Sequence, residues 1–448
     1  MAMWLIDRMA SQGEGLALAA GDGTTSTYAQ LHAATVAWTE RLRGAGVGAG
    51  AVVSVEGDYA TSTVAAFLAL MERAAIVVPL ARDSQAHAED FRRIGQVEWR
   101  VRPGAEDAVA RTGLNADHEH YTTLRERGVP GLVLFSSGST GDHKAAVHDL
   151  AQLLKKFETP RHSYRTLVFL GFDHIGGVNT LLYTLANGGA VITVSERSAA
   201  AVAGAIERHR VQLLPTSPTF LNLLLLSGEH ERHDLSSLEL ITYGTEAMPE
   251  STLKRVGAVF PSTRLLQTYG LTEVGILRSK SRGDDSLWVR VGGEGFETKV
   301  KDGRLWIRAE SAMLGYLNAP SPFDEDGFLD TGDRVEVDGE WLRILGRDSE
   351  IINVGGNKVY PAEVESALLE MDGVADVVVR GERNPIMGNV VVATFRLTTN
   401  EPLAELKSRV RRFCQGRMAP FKVPAKIELA TGPLHSERFK RMRRAQES

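Results

Sequence analysis

Short, nearly unbroken apolar runs alternate along this chain with longer stretches whose apolar positions recur at helical spacing. Residues 51–56 read as a strand, 60–73 as a helix and 75–80 as a strand again. The alternation returns at 166–170, 179–186 and 190–194, then at 199–209 and 212–215. Apolar runs that do not alternate with polar residues suit strands covered on both faces, so the pattern predicts α/β layers. After about Leu287 the texture changes to short strands and turns, at 303–307 and 338–344, where Asp338-Gly339 signals a hairpin. A last unit begins near Gly346. Pro361 stands at a helix start, and Val364, Leu368 and Met371 share a face before Gly373 ends the helix. Strands at 374–380 and 390–397 and a helix at 403–413 complete a small α+β domain of about 100 residues. Glycines at 44–50 follow a helix and precede a strand, the reverse of a dinucleotide-binding turn, and read as a plain turn.

Composition narrows the class. A net charge of −5 argues against wholesale nucleic-acid or anionic-membrane binding. One cysteine, Cys414, excludes an intramolecular disulfide, and no Cys/His set has structural-zinc spacing. No segment approaches the roughly 18 apolar residues of a membrane span, and Asp7 comes too early for a signal peptide, so a cytoplasmic protein is expected.

Five segments carry the chemistry. Residues 131–149 run from an apolar strand into a loop of Gly, Ser and Thr followed by Lys144. Converging backbone N–H groups there suit a phosphate chain, although no Walker sequence closes the loop. In 267–275, Tyr269, Thr272 and Glu273 place an aromatic face, a hydroxyl and a possible Mg²⁺ ligand within five residues. Asp333 closes an acidic turn, and an ionised carboxylate accepts both hydroxyls of a ribose. Arg347 precedes a polar, glycine-bearing stretch, and 436–444 form a basic tail. Taken singly, each has an ordinary structural reading.

Together, in this order, they resemble the adenylate-forming superfamily of acyl- and aryl-CoA synthetases, peptide-synthetase adenylation domains and luciferases. The resemblance runs from residue 27 nearly to the C-terminus. It implies an α/β large N-terminal domain (layered sheets with helices plus a small distorted β-barrel, 1–347) and a small mobile α+β C-terminal domain (348–448). It further implies that Ser136, Ser137, Gly138, Ser139, Thr140, Gly141 and Lys144 hold the β- and γ-phosphates of ATP. Gly244, Thr245 and Glu246 would lie along the adenine, with Tyr269 stacked on it. Thr272 would touch the α-phosphate, Glu273 would bind Mg²⁺, and Asp333 would hold the ribose with Arg347 assisting. His174 matches a histidine of the acyl pocket, Ser349 the hinge, and Lys440 the lysine that reaches the carboxylate during adenylation. His143 replaces the usual proline, Ala145 a glycine, and Phe439 the glycine before the lysine.

The implied activity is ATP- and Mg²⁺-dependent adenylation of a small carboxylic acid, then transfer to a thiol, with coenzyme A as co-substrate. Alternatives within the family are loading of a carrier protein and activation of nitrite toward an aryl amine. A non-catalytic nucleotide-binding relative is the alternative outside enzymology.

Overall fold

The computed structural model describes residues 3–137, 143–385, 387–436 and 441–443. Two seven-stranded sheets dominate it. The first orders its strands Arg264–Gln267, Leu240–Tyr243, Leu213–Thr216, Arg165–Leu167, Ala190–Ile192, Leu16–Ala19 and Thr25–Thr27, and only the last pair is antiparallel. The second runs Gly315–Tyr316, His143–Asp149, Gly131–Ser137, Ile76–Leu80, Val52–Glu56, Trp99–Val101 and Val109–Arg111, with a parallel centre.

Between the sheets lies the helix Thr61–Glu72, buried at every position from 63 to 71. A helix apolar all round needs cover on every side. Here Val53, Val55 and Leu132 of one sheet and Leu18 and Val191 of the other share its core.

The antiparallel unit orders its strands Ser279–Ser281, Trp288–Val291, Trp341–Arg347, Leu329–Asp338, Arg304–Ala309 and Phe296–Lys301. Asp338 faces Trp341 across the expected hairpin, with Gly339 at φ +61° in its turn. From Ile352 onward the strands pair in a separate five-stranded sheet, flanked by the helices Pro361–Leu368 and Leu403–Cys414.

The sequence pattern misplaced some boundaries. The strand read at 166–170 stops at Leu167, and the helix read at 179–186 already begins at Ile175, because His174 caps it. The helix from Pro361 ends at Leu368 rather than reaching Met371. Of residues 44–50, Gly44 and Ala45 end the helix Tyr28–Ala45, Gly46 at φ +84° closes it, and the turn follows.

Candidate active site

The parallel strands Leu213–Thr216, Leu240–Tyr243 and Arg264–Gln267 open their carboxyl ends on one side of the sheet, the edge where layered α/β proteins bind ligands. A cavity of about 1250 Å³ lies there. It exceeds the roughly 300–1,000 Å³ of a usual ligand pocket, so it has room for two substrates side by side. Its lining brings together Ser136, Lys144, His174, Gly244, Thr245, Glu246, Tyr269, Thr272, Glu273, Asp333 and Arg347, drawn from distant parts of the chain. Gly138, Ser139, Thr140, Gly141 and Lys440 lie outside the described residues. Ser137 ends the strand Gly131–Ser137 and pairs with His143.

Tyr269 and Asp333, 64 positions apart, meet directly: the phenol donates a short hydrogen bond to Asp333 Oδ2. Both are 8% exposed. Burial raises the Asp333 pKa, and Arg347, its Nε 3.6 Å from Oδ1, opposes that rise. Burial, and then the Asp333 charge, push the Tyr269 phenol well above its ordinary value. The phenol therefore stays protonated and donating, and Oδ1 is left toward Arg347 as the carboxylate's second acceptor.

Glu273 is held by a residue that no motif indicated. Tyr316, on the two-residue strand Gly315–Tyr316, donates its hydroxyl to Glu273 Oε1 at 2.5 Å. The register Tyr316↔Ala146 sets it two residues from Lys144, whose ammonium lies 5.3 Å from the Tyr316 ring centroid. Glu273 keeps Oε2 outside that bond. One oriented carboxylate is what Mg²⁺ takes from a protein when phosphates and waters supply its other ligands, so Glu273 fits the ion. Wholly buried His148 lies beneath this segment. Burial pushes its pKa down to about 4 against opposing backbone groups at Thr272 and Ser311, so the imidazole is neutral there.

Backbone constraints shape the segment after Tyr243. A Cβ on Gly244 would stand 2.7 Å from the Thr268 carbonyl oxygen, so only glycine lets the two loops approach this closely. Thr245 has φ +71°, a conformation that costs a non-glycine residue about 1–3 kcal/mol and concentrates at functional sites. Glu246 accepts from the Thr219 amide at 2.8 Å and from the Arg441 amide at 3.4 Å, so it braces the C-terminal tail against the helix Pro218–Ser227. His174 accepts from the Gly176 amide at 3.0 Å while lining the cavity.

The described tail is anchored by buried charge. Arg441, with a side chain 4% exposed, pairs with Glu365 at 3.1 Å and Asp376 at 3.5 Å. Arg443 reaches Glu365 at 2.8 Å and Glu350 at 2.5 Å. Burial alone would raise the Glu365 pKa, but Arg443 and Arg441 outweigh it and lower it. Across to the large part, Ser251 Oγ donates to the Ser366 carbonyl at 3.0 Å and Asn222 Nδ2 to the Ala375 carbonyl at 3.2 Å.

The sequence motifs did not point to Tyr316, which lines the cavity, or to His148, which is buried behind it. Neither belongs to a local pattern, and each matters through a partner in a distant segment.

Comparison with known proteins agrees with this geometry. The profile of the AMP-binding enzyme family matches residues 103–317, and that of the AMP-binding enzyme C-terminal domain matches 363–437. A methyl-dioxo-octahydroindenyl-propanoyl:CoA ligase of Rhodococcus jostii is 31% identical over 312 residues, 66% of this chain and 60% of that protein. Indoleacetate–CoA ligase of Aromatoleum aromaticum is 30% identical over 325 residues, 66% of this chain and 63% of that protein. The chain's matches therefore span about six tenths of those relatives' length. Among solved structures, o-succinylbenzoate CoA synthetase of Bacillus subtilis, in complex with its acyl-adenylate intermediate, superposes with a TM-score of 0.77. The superposition covers 98% of this chain and 96% of that one at 23% identity, which speaks for the fold. The chain belongs to the adenylate-forming superfamily of AMP-binding enzymes.

Proposed function

We propose that the chain is an ATP- and Mg²⁺-dependent ligase that adenylates a small carboxylic acid and passes the acyl group to a thiol, with coenzyme A as acceptor. One observation carries this reading: a single cavity gathers Ser136 and Lys144, the 244–246 segment, Tyr269 to Glu273, Asp333 and Arg347.

A carboxylate is a poor electrophile until one oxygen joins a leaving group. In the first step the acid's oxygen attacks the α-phosphorus of ATP, the bond to the bridging oxygen breaks, and pyrophosphate leaves. Charge must be held on both sides of that bond, so donors and cations fixed in advance do most of the work. Ser136 and Lys144 line the cavity on the strands flanking the phosphate loop and would take the β- and γ-phosphates. Thr272 would donate to the α-phosphate, Asp333 would accept from the ribose, and Arg347 would lie beside both. Glu273, oriented by Tyr316, would hold Mg²⁺, which supplies charge neutralisation at the phosphates when bound. In the second step a thiol sulfur attacks the acyl carbonyl, the thiol proton is lost, and AMP departs. No enzyme nucleophile is needed.

We assign residues 1–347 to the domain that holds the nucleotide and acid, and 348–448 to a small domain that rotates about Ser349 between the steps. Lys440 is its catalytic lysine in this reading, and support comes from the adjoining Arg441, whose amide meets the cavity residue Glu246. Among the described residues no helix is long and apolar enough to cross a membrane. A cytoplasmic site and a carrier protein as a second acceptor belong to this proposal.

The test is acid-dependent release of pyrophosphate from Mg-ATP across a panel of small acids, followed by addition of coenzyme A. Stoichiometric pyrophosphate and AMP, with a thioester formed, are expected. ADP and phosphate as products, or no turnover with any acid while ATP binds, would overturn the assignment.

A further inference from the structure

The same cavity carries a second cationic region, built from residues that the nucleotide reading leaves without a role. Lys156 follows the helix Leu150–Lys155 and lines the cavity together with Arg161, Arg278 and Tyr183. Its ammonium donates to the Ile276 carbonyl at 3.1 Å, which ties it to the short hairpin after Tyr269. An ammonium has three donors, so two remain beyond that bond.

The carboxylates of the cavity wall do not answer these cations. Glu246 accepts from two backbone amides, Glu273 from Tyr316, Asp333 from Tyr269, and Glu350 pairs with Arg443. Among the described residues Lys156 and Arg161 have no ion pair. Arg278 has one at 3.8 Å, to Glu294, whose side chain is 88% exposed. Burial, and then Arg161 and Arg278, push the Lys156 pKa down to about 7. Lys156 is half-buried and Arg278 partly exposed, while Arg161 is exposed, so an anion entering the cavity would relieve their mutual repulsion chiefly at Lys156.

We propose that this region is a subsite for a second, distal oxyanion, so that the acid activated here carries a further carboxylate, sulfonate or phosphate group, with Lys156 as the specificity-determining residue. This deepens the ligase reading and rests on it for the reacting carboxylate. The acid lies with one carboxylate toward the α-phosphate and its distal group against Lys156, within reach of Arg278. The competing role is purely structural: Lys156 only clamps the Ile276 carbonyl and holds the hairpin.

The test uses matched acids that share a skeleton, such as benzoate, isophthalate, terephthalate, 4-sulfobenzoate and 4-phosphonobenzoate. Acid-dependent pyrophosphate release gives kcat/KM, and calorimetry gives binding of the same acids without turnover. The native protein is expected to favour a doubly charged acid over benzoate by roughly 10-fold or more, the scale of one charge-assisted hydrogen bond. Lys156→Met is expected to bring that ratio near unity, and Lys156→Arg to keep it. A hairpin clamp would instead make Lys156→Met lower every acid alike, and that result, or a native preference for benzoate, overturns the subsite. If doubly charged acids bind in a Lys156-dependent way but yield no pyrophosphate, the ligase reading fails and the subsite stands. A preference for only the sulfonate, phosphonate or dicarboxylate arm names the oxyanion.

Discussion

At Asp333 a carboxylate is buried against a phenol with an arginine 3.6 Å away, and burial outweighs that arginine in setting its pKa. A raised folded pKa means a stability contribution that is full below the unfolded carboxylate value of about 3.9 and is lost as pH rises through the folded one. Ionising Asp333 therefore costs the empty protein stability. Asp333→Asn is expected to leave the thermal midpoint of the ATP-free protein unchanged or higher, while ATP affinity falls about tenfold or more, as for a lost charged hydrogen bond. Scanning calorimetry and an ATP titration check both halves, and unchanged ATP affinity would remove Asp333 from the site. Tyr316 orients Glu273 from behind, a position where substitutions in metal sites typically cost about 10- to 100-fold in metal affinity. Tyr316→Phe should accordingly raise the Mg²⁺ concentration for half-maximal pyrophosphate release, and an unchanged Mg²⁺ dependence would make the bond incidental. Motif order made Asp333 and Glu273 legible in the sequence, because each sits in a recognisable local segment. Tyr316 was not legible, since its meaning comes from a partner 43 positions away.

Among the elements, close approach is as decisive as chemistry. The 244–246 segment and the loop at Thr268 touch only because residue 244 lacks a Cβ. Gly244→Ala should displace the strained Thr245 and its neighbours, and a misplacement of about 1 Å at a reacting site can cost roughly 10²-fold in rate. Pyrophosphate release should fall by that order with the circular dichroism spectrum intact, and a near-native rate would show that the segment tolerates the shift. The buried tail network gives a second case. Glu365→Gln leaves Arg441 and Arg443 undercompensated, and breaking such a network costs about 3–5 kcal/mol in denaturant unfolding. Because the folded pKa of Glu365 is lowered, its contribution is full above about 4.3, the unfolded value, and fades as pH falls through the folded one. Apolar periodicity made the buried helix Thr61–Glu72 and the helix Ala199–His209 plain in the sequence. It left the strand His143–Asp149 unseen, because that stretch mixes charged and small residues and becomes a strand only by pairing with Gly131–Ser137. The antiparallel pairing that holds Tyr316 at the site was hidden for the same reason.

At the scale of the whole molecule, segments from the phosphate loop to the C-terminal tail must meet on one triphosphate. The tail already touches the cavity wall through the Arg441 amide and Glu246. With Lys440 as the adenylating lysine, Lys440→Ala should slow pyrophosphate release by roughly 10²-fold or more, the loss expected for one key charge-stabilising donor. If that variant adenylates normally and fails only in thioester formation, the lysine has been assigned to the wrong step. The change of texture after Leu287 made the antiparallel unit visible, and the small α+β unit made the last part of the chain visible, whereas the pocket's cationic wall was not, because Lys156, Arg161 and Arg278 converge only in three dimensions. The central claim is that an acid oxygen displaces pyrophosphate from the α-phosphorus. Turnover of an acid labelled with ¹⁸O in its carboxylate, with coenzyme A present, tests this most directly. One labelled oxygen should appear in AMP and none in pyrophosphate. AMP free of label, or label in inorganic phosphate, would contradict the account.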